Sequence, residues 1–203
     1  MQLSERQWKT LIKDIQQQRC ILLLGDRAAI STDTGQAERL SALLALHLGR
    51  QMEAENVAFE QDQSRNLAYM AQRFLSAPKM RRIDLEDEVT DFYNAATRQT
   101  PAYYQQLATL PFCLTINLSP DDYLLRAFKA AGKAGAQTAY YNFRKDKNEG
   151  IDTPMRNKPL VYNLLGALKD PESLVLTQED RVDFIKNVVK GNPGIPNAVM
   201  SHF

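Results

Sequence analysis

Four aliphatic residues, Ile21 to Leu24, run uninterrupted into Gly25, and Asp26-Arg27-Ala28-Ala29-Ile30-Ser31 follows. A run without apolar–polar alternation predicts a strand covered on both faces, the pattern of a central strand in a parallel sheet. Gly25 offers a sharp turn at the strand's carboxyl end. Leu40, Leu43, Leu44 and Leu48 then predict a helix over 36–50. Strand, glycine turn and helix open nucleotide-binding α/β domains. A dinucleotide fingerprint needs more than one glycine. These residues alone therefore fit a structural β-α turn as well as a nucleotide cradle.

The β-α rhythm breaks and then returns. Ser4 can cap a first helix whose Trp8, Leu11, Ile12 and Ile15 share one face. Residues 55–109 read as all-helical, an insertion between the first and second strands. The short basic run Lys79, Arg81, Arg82 within it reads as a solvated loop. A second apolar strand ends at Asn117. Ser119-Pro120-Asp121-Asp122 then predicts a helix start, with Ser119 as cap and Pro120 in the first turn. Strands are expected over 138–143 and 160–166, the last ending at Gly166. Thr177 with Asp180 three residues on forms a capping-box pattern for a final long helix.

Charge and rare residues narrow the function classes. Lys+Arg number 25 and Asp+Glu 24, so the basic surplus of a dedicated nucleic-acid binder is lacking. No apolar stretch approaches the ~20 residues of a membrane span, and the first 18 residues have no signal-peptide core. Cys20 and Cys113 are far apart, lack metal-ligand spacing and read as buried reduced thiols in core strands, which fits a cytoplasmic setting. No metal site is expected. Histidine occurs only at 47 and 202, and His47 reads as a surface or boundary residue.

Three stretches in order, Leu24–Ser31, Thr115–Asp122 and Leu160–Gly166, followed by Ser173-Leu174-Val175-Leu176-Thr177-Gln178-Glu179-Asp180, resemble the sirtuin-like domains of bacteria. They are most similar to the divergent branch found at the N-terminus of multidomain antiphage defence and signalling proteins. The resemblance covers about residue 8 to the end. It implies a Rossmann-like parallel sheet flanked by helices, an NAD- or ADP-ribose-binding crevice, and cleavage of the bond to nicotinamide. It also implies C-terminal domains of a longer protein as partners, and a homo-oligomer. In the relatives a last apolar strand follows the point where this chain ends, so the chain reads as an N-terminal fragment.

Carried over residue by residue, the resemblance makes Gly25, Asp26, Arg27, Ser31, Asn117 and Gly166 the cofactor-binding candidates. Asn117, Asp121 and Asn163 are the catalytic ones. The departures are chemical. Arg27 stands where a second glycine would let backbone approach a pyrophosphate, although its guanidinium could pair with phosphate instead. The acid after Asn117 is displaced to Asp121. Asn163 stands in the place of the catalytic histidine, and an amide cannot titrate as an imidazole does. The four cysteines of the zinc-binding deacylases are missing. The expectation is a degenerate sirtuin-like module without deacylase activity. The alternative is an NAD glycohydrolase, acting through Asn117 and Asp121, that assembly switches on.

Overall fold

The computed structural model describes residues 3–31, 37–146, 148 and 150–203. A sheet of four parallel strands is flanked by helices on both faces, the α/β arrangement expected, and it is consistent with a Rossmann-like architecture. The strands are β1 (Leu22–Leu24), β4 (Leu114–Asn117), β6 (Leu160–Asn163) and β5 (Gln137–Tyr140), in that spatial order. A small antiparallel pair, β2 (Ile30–Ser31) and β3 (Glu38–Arg39), stands apart from it. The helices are α1 (Glu5–Gln16), α2 (Leu40–Ala54), α3 (Leu67–Leu75), α4 (Arg82–Ala96), α5 (Ala102–Thr109), α6 (Tyr123–Ala130), α7 (Gln178–Lys190) and the short α8 (Asn197–Met200).

Register decides which side chains share a face. Leu24, Asn117, Asn163 and Tyr140 form one row across the carboxyl ends of the strands. Side chains alternate along a strand, so Thr115 and Val161 lie on the same face as Asn117 and Asn163. On that face Leu24 and Val161 join one continuous core with Leu44, Leu48, Met70, Leu85, Tyr104 and Phe128 from α2 to α6. On the other face Leu114, Ile116, Leu160 and Tyr162 pack with Tyr141, Phe143 and, from α7, the partly buried Phe184 and Val188. Within 55–109 lie α3, α4, α5 and a 3₁₀ turn, and they share the first core with α2, α6 and the sheet.

Several expectations are corrected. β1 is an edge strand, and Leu23 is 64% exposed. An uninterrupted apolar run reports hydrophobicity, not the number of neighbouring strands. Gly25 makes no sharp turn: its φ is −85° and ψ 174°, and it leads into a 3₁₀ turn over Asp26–Ala28. α2 begins at Leu40, because Glu38 and Arg39 pair with β2 instead; Gln36, the expected helix start, lies outside the described residues. Helix α6 begins at Tyr123, not Pro120. The Asn117 side chain accepts from the Ser119 amide at 3.3 Å, and Asp121 Oδ1 accepts from the Tyr123 amide at 3.1 Å. These side-chain bonds hold 118–121 as a turn in competition with the helix. Both cysteines are free thiols that lie just ahead of strands rather than in them, and Cys20 is only partly buried. The caps at Ser4 and Thr177 form as the pattern indicates, each with its reciprocal bond from Gln7 or Asp180.

Of the basic run, Lys79 and Arg81 are exposed as a solvated loop requires, but Arg82 is not. Arg82 opens α4 and is gripped on three sides. It donates to Glu86 Oε1 at 2.6 Å, to Asp180 Oδ2 at 2.7 Å and to the Leu174 carbonyl at 2.9 Å. Glu86 and Asp180 are each 4% exposed. Asp180 also accepts from the Leu176 and Thr177 amides and from Arg144. Burial pushes the Asp180 carboxyl upward, but Arg82 and the two amides outweigh it and hold it below the usual carboxylate range. This cluster ties α4 to α7, and so fixes the helical layer against the segment after β6.

Candidate functional site

The carboxyl ends of β4 and β6 bring two amides together. Asn117 and Asn163 are register partners on adjacent parallel strands, 3% and 6% exposed. Asn117 Nδ2 donates to Asn163 Oδ1 at 3.2 Å and to the Asp121 carbonyl at 3.4 Å, while its oxygen takes the Ser119 amide. The Asn117 amide is thus spent on holding the strand end and the turn after it. Asn163 Nδ2 remains without a partner among the described residues.

Asp121 completes this cluster. It is 2% exposed, and one oxygen accepts from Tyr123 N. The buried Ser119 hydroxyl lies against the carboxylate and favours its charged form. Burial pushes the Asp121 carboxyl up to about 6. A buried carboxylate costs free energy, and such groups concentrate at functional sites.

Two cavities flank the Asn117–Asp121 segment, and Pro120 borders both. The first, about 380 Å³, lies over β5 and β6 and is lined by Asp121, Asn163, Thr138, Leu125, Arg98 and Lys169 among others. The second, about 520 Å³, lies beneath the loop after β1 and is lined by Asp26, Arg39, Arg65, Tyr93, Ser119 and Arg181 among others. Both sit at or near the carboxyl edge of the parallel sheet, where open α/β folds bind ligands. Arg39 pairs with Asp26 at 3.4 Å and Arg65 with Glu38 at 2.5 Å, whereas Arg181 has no ion pair among the described residues. Burial raises the Tyr93 hydroxyl above its ordinary pKa, so it stays protonated as a donor.

The other sequence candidates fall differently. Of the first loop, Asp26 lines the second cavity, while Gly25, Arg27 and Ser31 line neither. Arg27 is exposed, and Ser31 is buried in β2. The loop's backbone is largely committed to the protein. The Ala28 and Ala29 amides return to Gly25 and Asp26, and the Ala28 carbonyl accepts from Tyr104 at 3.1 Å and from Tyr103. A Cβ on Gly25 would meet nothing within 4 Å. Gly166 has a structural requirement of its own: φ is +94°, and a Cβ there would run into the Ser173 carbonyl. The residue directly before it, Leu165, borders the second cavity. No imidazole lines either cavity: His47 bonds Glu88 at 2.6 Å between α2 and α4, and His202 lies beyond α8.

The sequence reading missed Arg39, Arg65 and Arg181 in the second cavity, and Arg98 and Lys169 at the first. No local pattern marks them, because each cavity is assembled from segments far apart in the chain. Among the described residues no three His, Cys, Asp or Glu side chains are grouped to hold a metal ion, and no helix is long and apolar enough to cross a membrane. Neither a protein-family model nor a curated protein matches this chain.

Proposed function

We propose that the chain is a degenerate sirtuin-like domain that serves as a nucleotide-sensing or assembly module of a larger defence or signalling protein, without deacylase activity. The observation that carries this reading is the Asn117–Asn163 pair, two non-titrating amides 3.2 Å apart at the strand ends, with no imidazole lining the adjoining cavities. The second cavity suits NAD or ADP-ribose. Arg181 and the neighbouring arginines can meet phosphates with their planar forks. C-terminal domains and further copies of the chain are the partners through which binding would be read out.

The test is titration calorimetry with NAD and with ADP-ribose. Binding that weakens about tenfold in Arg181→Ala, the loss of one charge-assisted contact, supports the reading. Absence of heat with both ligands rejects it. An active NAD glycohydrolase is the second reading, favoured by one observation: burial pushes the Asp121 carboxyl up to about 6, towards the range where a general acid or base is effective. Nicotinamide release that disappears in Asp121→Asn would establish it.

A further inference from the structure

Helix α7 carries apolar side chains on two faces, and only one of them is used by the fold. Phe184 and Val188 turn inward onto the second core, and Asn187 Nδ2 donates to the Phe143 carbonyl at 2.8 Å. Val182, Ile185 and Val189 stand on the outer side, 64%, 59% and 81% exposed. Their spacing of three and then four residues is that of the a and d positions of a heptad, the seam that two packed helices share. Helix α1 has an apolar stripe too, with Trp8 and Ile12 each 50% exposed. Its flanking charges are already taken, however: Lys9 pairs with Glu5 at 2.8 Å and Asp14 with Arg19 at 2.5 Å.

The charges beside the α7 seam say what covers it. At the helical repeat, Glu179 and Lys186 fall on the same flank, one near each end. Glu179 is in no ion pair among the described residues and takes only the Gln72 amide at 3.4 Å. Lys186 has only a loose contact with Asp183 at 3.9 Å. A seam with opposite charges at its two ends is complementary to itself when reversed. In an antiparallel pair Val182 meets the partner's Ile185, Glu179 lies beside the partner's Lys186, and each contact occurs twice. Parallel pairing would instead set Arg181 beside the partner's Lys186, two like charges.

We propose that α7 pairs antiparallel with α7 of a second copy of this chain about a two-fold axis. Val182, Ile185 and Val189 form the seam, and two Glu179–Lys186 ion pairs fix its direction. A contact of this kind uses the same patch on both copies, so assembly stops at a dimer. Helices of 13 residues give a seam smaller than the roughly 1,200–2,000 Å² of a stable interface, so the dimer is reversible and depends on concentration. The dimer gives the assembly side of the proposed function a surface, and it does not require a nucleotide to bind in the second cavity.

The test is sedimentation equilibrium of the whole chain from about 10 μM to 1 mM, the range in which a weak interface is populated. A monomer–dimer equilibrium is expected. Ile185→Asp is expected to abolish the dimer, with the thermal unfolding midpoint little changed because the position is exposed. Lys186→Glu is expected to weaken it about tenfold, as two exposed ion pairs become two repulsions. Combining Glu179→Lys with Lys186→Glu is expected to restore it, since the swap recreates both pairs. A chain that stays monomeric throughout would overturn the proposal. So would a dimer that survives Ile185→Asp, a dimer lost in Ile12→Asp instead, or open-ended association beyond two copies. Failure of the double variant to recover would overturn the antiparallel arrangement. Calorimetry of Ile185→Asp with NAD and ADP-ribose reports on the second cavity alone, so failure of the dimer is distinguishable from failure of the nucleotide reading.

Discussion

Asp121→Asn is the substitution that most directly tests the reading of the buried cluster. The carboxyl keeps its proton up to about pH 6 in the folded chain, against an ordinary value of 3.8. That difference corresponds to about 3 kcal/mol. The sign follows from linkage. The folded state binds the proton more tightly than the unfolded state, so the penalty is fully present above about pH 6. It is relieved as pH falls from there towards 3.8, and the native state gains stability over that interval. Asparagine has nearly the same shape and keeps an oxygen for the Tyr123 amide, but it cannot titrate. Its own unpaired N–H group adds a constant offset of about 1–3 kcal/mol at most, independent of pH. The quantity to measure is therefore the stability of the variant minus that of the wild type, from urea unfolding at several values between about pH 4 and 7. Other carboxylates titrate in both proteins and cancel in the difference. The difference is expected to swing by about 3 kcal/mol, with the variant gaining relative to the wild type as pH rises. Parallel curves would refute the placement of Asp121 as a carboxyl whose burial outweighs its hydrogen bonds.

Gly166→Ala should destabilise by more than about 2 kcal/mol, from the positive φ and the clash with the Ser173 carbonyl. Gly25→Ala should stay within about 0.5 kcal/mol, and thermal unfolding of the pair separates a structural glycine from one with open space around it. Arg82→Met leaves the buried Glu86 carboxylate without its cation, while Asp180 keeps Arg144, and should cost about 3–5 kcal/mol in chemical denaturation. An effect below about 1 kcal/mol would mean that the cluster is solvated rather than buried.

What the sequence made legible was local. β4 and β6 are apolar runs buried along their whole length, and the Ser4 and Thr177 caps follow from hydroxyl and amide or carboxylate three residues apart. What it did not make legible depends on neighbours. Leu23 carries the same side chain as Leu24, yet one is 64% exposed and the other 6%, because β1 has a strand on one side only. Ser119-Pro120-Asp121-Asp122 has the composition of a helix start, but the Asn117 side chain takes the Ser119 amide first. Arg82 is surrounded in sequence by charges typical of a surface, and its partners Asp180 and Leu174 come from a distant segment. The sequence marks Asn117 and Asn163 as strand-end amides. Only the parallel register makes them touch.

The same register constrains the chemistry. Neither amide can carry a proton between substrate and solvent, and no histidine lines the cavities. Within the cluster of Asn117, Asn163 and Asp121, the Asp121 carboxyl is the group drawn towards neutrality, and it is buried beside Ser119, Tyr93 and Tyr104. The arginines suited to a dinucleotide's phosphates line the second. Catalysis on a nucleotide would require the scissile bond to come within hydrogen-bond reach of the buried Asp121 carboxyl. A sensor needs no such approach, because the arginines of the second cavity can hold a nucleotide's phosphates without it. Asp121→Asn is therefore the decisive contrast: a variant that still binds NAD but loses nicotinamide release favours an enzyme, and binding in both proteins with release in neither favours a module that binds without cleaving.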